Sequence, residues 1–365
     1  MIYLDHGATS FPKPLPVRRA VQQAMLHCAN PGRGGHRPSM AASEQIYRCR
    51  ELAATMFHCQ PEQVVFTANC TQGLNTAIRT LVSPGDKVLI TGFEHNAVTR
   101  PLHALNSDIL VAGRKLFDWQ DTLACWEQAL RQGVRAAVFT HVSNVFGYIL
   151  PAEQMAAMCR QYGVPFVVDA AQSAGLLPVD LAGWGADFIA MPGHKGLLGP
   201  MGTGLLLCGA DPKPLLFGGT GSLSRQQEMP HFLPDRAEAG TLNVPGIAGL
   251  AAGMRYVNQL GIHNILTRQQ RQVARAAAAL QKRGLQMFIG PHQAGTLSIL
   301  PPVDVEEAAK QLSDRGIGVR AGLHCAPLAH ESAGTWNTGT LRLSFGHDAS
   351  DQQTDAFLRA VKELW

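Results

Sequence analysis

One cysteine stands between two histidines in the segment from Arg320 to His330, R-A-G-L-H-C-A-P-L-A-H. Glycine and proline interrupt the segment, so we predict a loop rather than a helix. The thiolate is the nucleophilic form of cysteine, and the neighbouring His324 could help to remove the thiol proton. Cys325 is therefore a candidate nucleophile; the alternatives are a small loop residue without a chemical role and, less favoured because no further ligand cluster is evident, a metal ligand.

Four other candidates each follow a different β-branched run. They are Thr71 after V-V-F-T, His95 after K-V-L-I-T, Asp169 at the end of P-F-V-V-D, and Lys195 after D-F-I-A-M. A helix beginning near Thr71 would hold a phosphate, and a buried Asp169 needs a partner such as a protonated ring nitrogen. A desolvated lysine can form a Schiff base. Together these groups match the protein contacts of pyridoxal phosphate.

Each of these residues also has a plainer interpretation. Thr71 and Asp169 could cap helices, His95 could be an ordinary core or surface residue, and Lys195 could be solvated in its turn. The combination of the four, rather than any one of them, favours the cofactor.

Strands that alternate with helices must position these residues. The six predicted strands are 64–67, 87–91, 136–140, 165–169, 187–191 and 204–208. Helices are predicted over 17–28 and from 39 to about 57, and the alternation indicates a mostly parallel sheet covered on both faces. We predict a large domain over 15–248, a smaller α+β domain over 249–365, and an N-terminal segment, 1–14, that joins them.

Composition excludes several classes of protein. The 365 residues carry a net charge of +4 without runs of Lys or Arg, which gives no footprint for nucleic acid or for an anionic membrane. No apolar run is long enough for a membrane helix, and the start of the chain lacks a signal peptide. The eight cysteines form no C-x-x-C pair, which is typical of reduced thiols. We therefore predict a cytoplasmic protein.

Eight ordered motifs resemble the class V branch of pyridoxal-phosphate enzymes, and within it the cysteine desulfurases and selenocysteine lyases. The motifs are Y-L-D-H-G-A-T-S-F-P-K-P, E-H-N-A, S-N-V-F-G, V-V-D-A-A-Q-S, G-H-K-G-L-L-G-P, E-A-G-T-L-N, R-A-G-L-H-C-A-P and T-L-R-L-S. The resemblance implies the fold-type I α/β architecture, with a seven-stranded, mostly parallel sheet and a smaller α+β C-terminal domain. It also implies a homodimer with shared active sites.

The resemblance assigns a role to each matching position. Lys195 would bond to the cofactor, His95 would stack on its ring, Asp169 would pair with the ring N–H, and Gln172 would reach the phenolic oxygen. The phosphate would lie against Cys70, Thr71 and His194, with Thr241 contributed across the dimer interface. Asn144 and Arg342 would hold the substrate carboxylate, Arg342 by its two-pronged fork.

These roles imply a cysteine desulfurase that takes sulfur from L-cysteine, leaves L-alanine, forms a persulfide on Cys325 and delivers sulfur to an acceptor protein. The alternative is another class V enzyme, such as an aminotransferase, selenocysteine lyase, β-lyase or epimerase, in which Cys325 is not catalytic. Four positions depart from the desulfurase pattern. Pro192 and Cys70 replace hydroxyl residues at the phosphate, which predicts weaker cofactor binding, and His6 and Gly7 replace Asn-Ala near the active-site entrance.

Overall fold

A computed structural model describes residues 1–32 and 34–365 of the chain, in which strands and helices alternate. The strands are β1 (Ile2–Tyr3), β2 (Val64–Thr67), β3 (Lys87–Thr91), β4 (Asp108–Ala112), β5 (Ala136–Thr140), β6 (Phe166–Asp169), β7 (Phe188–Pro192), β8 (Gly204–Cys208), β9 (Gln286–Phe288), β10 (Thr296–Leu300), β11 (Ile317–Gly318), β12 (Arg320–Gly322) and β13 (Thr340–Ser344). The α-helices are α1 (Leu15–His27), α2 (Arg37–Phe57), α3 (Cys70–Leu81), α4 (Asn96–Ala104), α5 (Trp119–Leu130), α6 (Ala152–Gln161), α7 (Leu181–Trp184), α8 (Val244–Leu260), α9 (Ile262–Gln281), α10 (Val305–Asp314), α11 (Pro327–Ala333) and α12 (Asp351–Leu364).

Seven strands form the central sheet in the order β2-β8-β7-β6-β5-β3-β4. All neighbours from β7 to β4 are parallel, whereas β8 runs antiparallel to both β7 and β2. Every residue of β2, β5, β6, β7 and β8 is buried, because helices cover both faces of the sheet. The predicted seven-stranded, mostly parallel sheet is confirmed.

Each of the six strands predicted from the sequence is present, with ends within one residue of the prediction. The seventh strand, β4, lies at the edge of the sheet and was not recognised from its sequence, D-I-L-V-A. Helices α1 and α2 begin two residues before their predicted starts. Both have proline in the first turn, where its missing N–H costs no hydrogen bond.

A second, antiparallel sheet has the order β12-β13-β10-β9 and packs against α9, α10 and α12 around a separate apolar core. The N-terminal strand β1 pairs in parallel with β11, so the start of the chain joins this C-terminal part. The boundary predicted between residues 248 and 249 lies inside α8, which is buried from Gly246 to Met254 and packs on α1 and α2. We therefore propose that the division follows α8, at Gly261.

Candidate active site

Ten of the eleven predicted site residues line one cleft. They are Cys70, Thr71, His95, Asn144, Asp169, Gln172, His194, Lys195, Cys325 and Arg342. Eight of them follow strands of the central sheet or end one, because the carboxyl ends of parallel strands meet at the same edge. Cys325 and Arg342 come from the second sheet and the loop beside it.

Asp169 is the last residue of β6 and is almost fully buried. Its Oδ1 accepts hydrogen bonds from the backbone N–H of Ala171, at 2.8 Å, and from the thiol of Cys70, at 3.5 Å. Neither of these bonds uses Oδ2. The carboxylate therefore has one oxygen fixed by the protein and a second that can pair with a cationic N–H group in the cleft.

Lys195 lies in the glycine-rich turn after β7 and lines the same cleft. Burial lowers the pKa of its amine, an effect that the nearby Asp169 opposes and that Arg342 and Arg320 reinforce. A lower pKa increases the fraction of neutral amine, which is the form that attacks a carbonyl carbon.

His95 is the N-cap of α4, and its Nδ1 accepts a hydrogen bond from the backbone N–H of Ala97 at 3.0 Å. Burial lowers the pKa of the imidazole, against the charge of Asp169. The neutral ring with an acceptor at Nδ1 carries its proton on Nε2. His95 thus presents a neutral ring of fixed tautomer to the cleft.

Cys325 is exposed and lies in a short loop in which both His324 and Cys325 have positive φ, 50° and 57°. Residues other than glycine rarely adopt this conformation, so the surrounding contacts must hold it. The carbonyl of Cys325 accepts from the N–H of Asn96, and the carbonyl of His324 accepts from Nδ2 of Asn144. The main chain of the loop is therefore pinned to the walls of the cleft.

His324 itself is buried, and its Nε2 faces the carbonyl and hydroxyl oxygens of Thr340. Burial, and then the charge of Arg342, lowers the pKa of His324 to about 2. The imidazole is a poor proton acceptor in this environment, so it does not suit the role of base for Cys325.

Arg342 is buried in β13 with both terminal nitrogens engaged. Nη2 donates to Oδ1 of Asp5 at 2.7 Å, and Nη1 donates to the carbonyl of Asn144 at 3.0 Å. Its Nε is buried without a partner among the described residues. Arg342 therefore combines a structural ion pair with Asp5 and one unused donor beside the cleft.

The first turn of α3 also lines the cleft. Asn69 caps this helix by accepting from the N–H of Gln72, and Thr71 presents a hydroxyl group beside N–H groups that have no intrahelical partner. His194 also lines the cleft, with Nδ1 3.1 Å from the hydroxyl of Thr9. Such a helix N-terminus favours an anionic group.

The N-terminal segment closes one side of the cleft. The N–H of Gly7 donates to Oγ of Ser344, and Nε2 of Gln172 donates to the carbonyl of Gly7. His6, the other unusual residue of this segment, is buried in an adjoining cavity that also reaches Lys195. The segment thus connects the two sheets at the site.

A family model described as Aminotransferase class-V matches residues 2–357. The chain belongs to the class-V aminotransferases. Relatives of this class-V enzyme include proteins named probable cysteine desulfurase from Pyrococcus abyssi, 33% identical, and from Methanothermobacter thermautotrophicus, 32% identical. In both comparisons the match covers 100% of this chain and 94% of the relative.

Solved structures give the same result. The apo structure of cysteine desulfurase from Thermococcus onnurineus NA1 superposes with a TM-score of 0.92 at 32% identity, covering 100% of this chain and 94% of that one. The cysteine desulfurase CsdA from Escherichia coli superposes with a TM-score of 0.85 at 25% identity, covering 99% and 94%. This class-V chain is therefore similar to cysteine desulfurases in both sequence and fold.

Thr241, predicted to serve the site of a partner subunit, lies outside this class-V cleft, and one cleft residue was not predicted. Thr241 is exposed and lines a separate groove beside Arg50 and Glu238, so it does not line the cleft of its own chain. Arg320, which was not among the predicted site residues, lines the cleft. It lies directly opposite Arg342 in the antiparallel pairing of β12 with β13. Its position at the start of the R-A-G-L-H-C motif was the available signal.

None of the helices in residues 1–32 and 34–365 is long and apolar enough to cross a membrane.

Proposed function

We propose that the chain is a pyridoxal-phosphate-dependent cysteine desulfurase, which converts L-cysteine to L-alanine and retains the sulfur as a persulfide on Cys325. The observation that carries the proposal is that exposed Cys325 lines the same cleft as Lys195 and Asp169. The relatives named cysteine desulfurase support this choice among class V reactions.

The residues of the cleft fit pyridoxal phosphate. A buried carboxylate with a free oxygen suits a protonated ring nitrogen, a lysine of lowered pKa suits the aldehyde, and the first turn of α3 suits the phosphate. When bound, the cofactor supplies an electron sink for bonds broken at the substrate's α and β carbons. Asp169, Lys195 and Thr71, together with His95, Gln172 and His194, would hold it.

Substrate binding is assigned to the two cations of the second sheet, Arg320 and Arg342. Arg320 and Arg342 both line the cleft and lie opposite each other on β12 and β13, so their charges attract the carboxylate of an amino acid. Asn144 holds the Cys325 loop through the carbonyl of His324. Substrate position and nucleophile position are thereby set by adjacent residues.

Lys195 is the group placed to move protons at the substrate, because its amine lines the cleft and its pKa is lowered. At Cys325 the substrate's Cβ–S bond breaks, an S–S bond forms and Cβ gains a hydrogen. Cysteine and the Cys325 thiol thus give alanine and the Cys325 persulfide, so no outside oxidant is needed. The substrate thiol, rather than buried His324, would assist with the proton of Cys325.

The position of Thr241 supports a homodimer in which this residue serves the partner's cleft, since it is exposed and lines a groove away from its own. The exposure of Cys325 supports transfer of the persulfide sulfur to an acceptor protein. All eight cysteines are free thiols, which supports a cytoplasmic location.

The test is to reconstitute the protein with pyridoxal phosphate, add L-cysteine and measure alanine and sulfide. We expect Cys325→Ala to keep the cofactor's visible absorbance and to lose roughly 10³-fold or more in alanine formation. Cys125→Ala, which changes a half-buried cysteine outside the cleft, serves as the matched control.

The desulfurase proposal would be rejected if wild type and Cys325→Ala formed alanine at equal rates. It would also be rejected if neither formed alanine from L-cysteine with the cofactor bound. Another class V reaction on an amino acid would then take its place.

A further inference from the structure

Cys70 occupies an unusual position in the cleft. It is the first residue of α3, it is buried, and its Sγ lies 3.5 Å from Oδ1 of Asp169, a residue 99 positions away in the chain. The same oxygen accepts the N–H of Ala171 at 2.8 Å. The sequence suggested that Cys70 would stand at the phosphate, whereas the contact recorded for its thiol is with the carboxylate.

The direction of this hydrogen bond follows from the charges. Burial, and then the charge of Asp169, raises the pKa of the Cys70 thiol well above its ordinary value, so the sulfur keeps its proton. The neutral S–H is a weak donor, and the carboxylate oxygen is the acceptor. A hydrogen bond to the charged form of a carboxylate favours that form and fixes its plane.

We propose that Cys70 is a positioning residue that acts on the cofactor's ring nitrogen through Asp169, not on its phosphate. The inference rests on the proposed pyridoxal-phosphate site. With Oδ1 held by Ala171 and Cys70, the carboxylate plane is fixed and Oδ2 is presented to the ring. A thiol is a weaker hydrogen-bond donor than a hydroxyl group, so it holds the carboxylate of Asp169 while withdrawing less negative charge from it.

A double-mutant cycle on pyridoxal-phosphate binding tests the proposal without using turnover. The dissociation constant is measured for wild type, Cys70→Ala, Asp169→Asn and the double variant, with Cys70→Ser as the conservative replacement. We expect Cys70→Ala to weaken binding roughly fivefold, and Cys70→Ser to restore most of the loss because it keeps a donor. In the Asp169→Asn background we expect Cys70→Ala to have almost no further effect.

An equal loss from Cys70→Ala in both backgrounds would overturn the proposal, since it would place the thiol at the phosphate or in packing alone. So would a Cys70→Ala variant that binds the cofactor like wild type. Cys208→Ala is the matched control, because Cys208 is also buried and its thiol donates to the carbonyl of Leu206 rather than to a carboxylate.

Failure of the proposed function can be distinguished from failure of the positioning role of Cys70. If wild type binds the cofactor but forms no alanine from L-cysteine, the desulfurase is rejected while the cycle still tests Cys70. If wild type binds no cofactor, both are rejected. Thermal unfolding of the cofactor-free variants shows whether Cys70→Ala acts through folding instead, which would also overturn the positioning role.

Discussion

The loop at Cys325 and the turn at Cys70 place the same residue type in one cleft under opposite conditions. Cys325 is exposed on a backbone of positive φ, whereas Cys70 is buried at the start of a helix beside a carboxylate. A thiol that reaches water can ionise and attack, but a thiol next to a negative charge and without water keeps its proton. The surroundings of a cysteine, rather than its presence in a site, therefore decide its chemistry.

The two regions also differ in how they are held. The Cys70 turn belongs to an apolar core that includes Val65 and Leu74, both fully buried. The Cys325 loop accepts hydrogen bonds on its main chain from Asn96 and Asn144, and the next residue, Ala326, is fully buried in a different apolar core. The exposed Cys325 side chain therefore lies on a main chain that is held in place, whereas the Cys70 side chain is itself part of a core.

The largest expected difference is in thiol reactivity. In the folded, cofactor-free protein we expect iodoacetamide to alkylate Cys325 at least about 100-fold faster than Cys70, because the thiolate is the reactive form and burial suppresses it at Cys70. Mass spectrometry of peptides measures both rates in one sample. Labelling in denaturant, where both should react alike, is the control, and equal rates in the folded state would remove the contrast between the two regions.

Acid should destabilise the Cys325 side of the molecule. The pKa of His324 is about 2 and that of His330 is about 4 in the folded state, against 6.5 when unfolded. Between the folded and unfolded pKa values the unfolded chain binds more protons than the folded chain. The contribution of these two histidines to the free energy of unfolding is therefore fully present above pH 6.5 and is lost as the pH decreases. His324 alone should cost about 3 kcal/mol by about pH 4.5.

Urea unfolding of the cofactor-free protein at several pH values measures this loss. His324→Gln keeps a donor for Thr340 but does not titrate, so its stability should depend less steeply on pH. A variant with the slope of wild type would show that His324 does not carry the effect.

Two glycines allow each region to be disturbed on its own. At Gly339, φ is +64° and a Cβ would lie 2.8 Å from the carbonyl carbon of Gly322, next to the Cys325 loop. At Gly204 a Cβ would lie 2.8 Å from the carbonyl carbon of Asn69, next to the Cys70 turn. We expect each alanine substitution to cost about 2 kcal/mol in urea unfolding.

Alkylation should separate the two glycine variants, with Gly204→Ala raising the reactivity of Cys70 and Gly339→Ala leaving it low. Gly219→Ala is the matched control, because among residues 1–32 and 34–365 none other than Gly219 and its two chain neighbours comes within 4 Å of the Cβ position. If Gly339→Ala exposed Cys70 as much as Gly204→Ala, the two regions would not be independent.

The smallest expected effects come from two asparagines. Asn144→Ala removes the bond to the carbonyl of His324, and Asn69→Ala removes the cap on the N–H of Gln72. Each loss is worth about 1.4 kcal/mol, or roughly tenfold faster amide exchange in the affected segment. Hydrogen exchange measured by mass spectrometry should show faster exchange around Cys325 in Asn144→Ala and around Cys70 in Asn69→Ala. The same pattern in both variants would contradict the idea that the two regions are held independently.

Local patterns in the sequence were sufficient for much of the fold. Continuous apolar runs such as V-V-F-T predicted strands because a strand buried on both faces has no polar side to alternate with. The edge strand β4 was not predicted because it is not buried on both faces. Its sequence, D-I-L-V-A, begins with an exposed residue and is only partly buried. The boundary predicted at residue 248 rests on a change in composition, which the sequence does not distinguish from a change within one continuous helix, α8.

The sequence by itself determined which chemical groups are available and which strand end each one follows. Lys195, Asp169 and His95 could be assigned to one sheet edge, because parallel strands bring their carboxyl ends together whatever their order. Only the tertiary structure decided the contacts between distant groups: Cys70 with Asp169, Arg342 with Asp5, and His324 with Thr340. The proton affinity of a thiol or an imidazole depends on the charges and the water within a few ångströms. Those neighbours come from segments that only folding brings together.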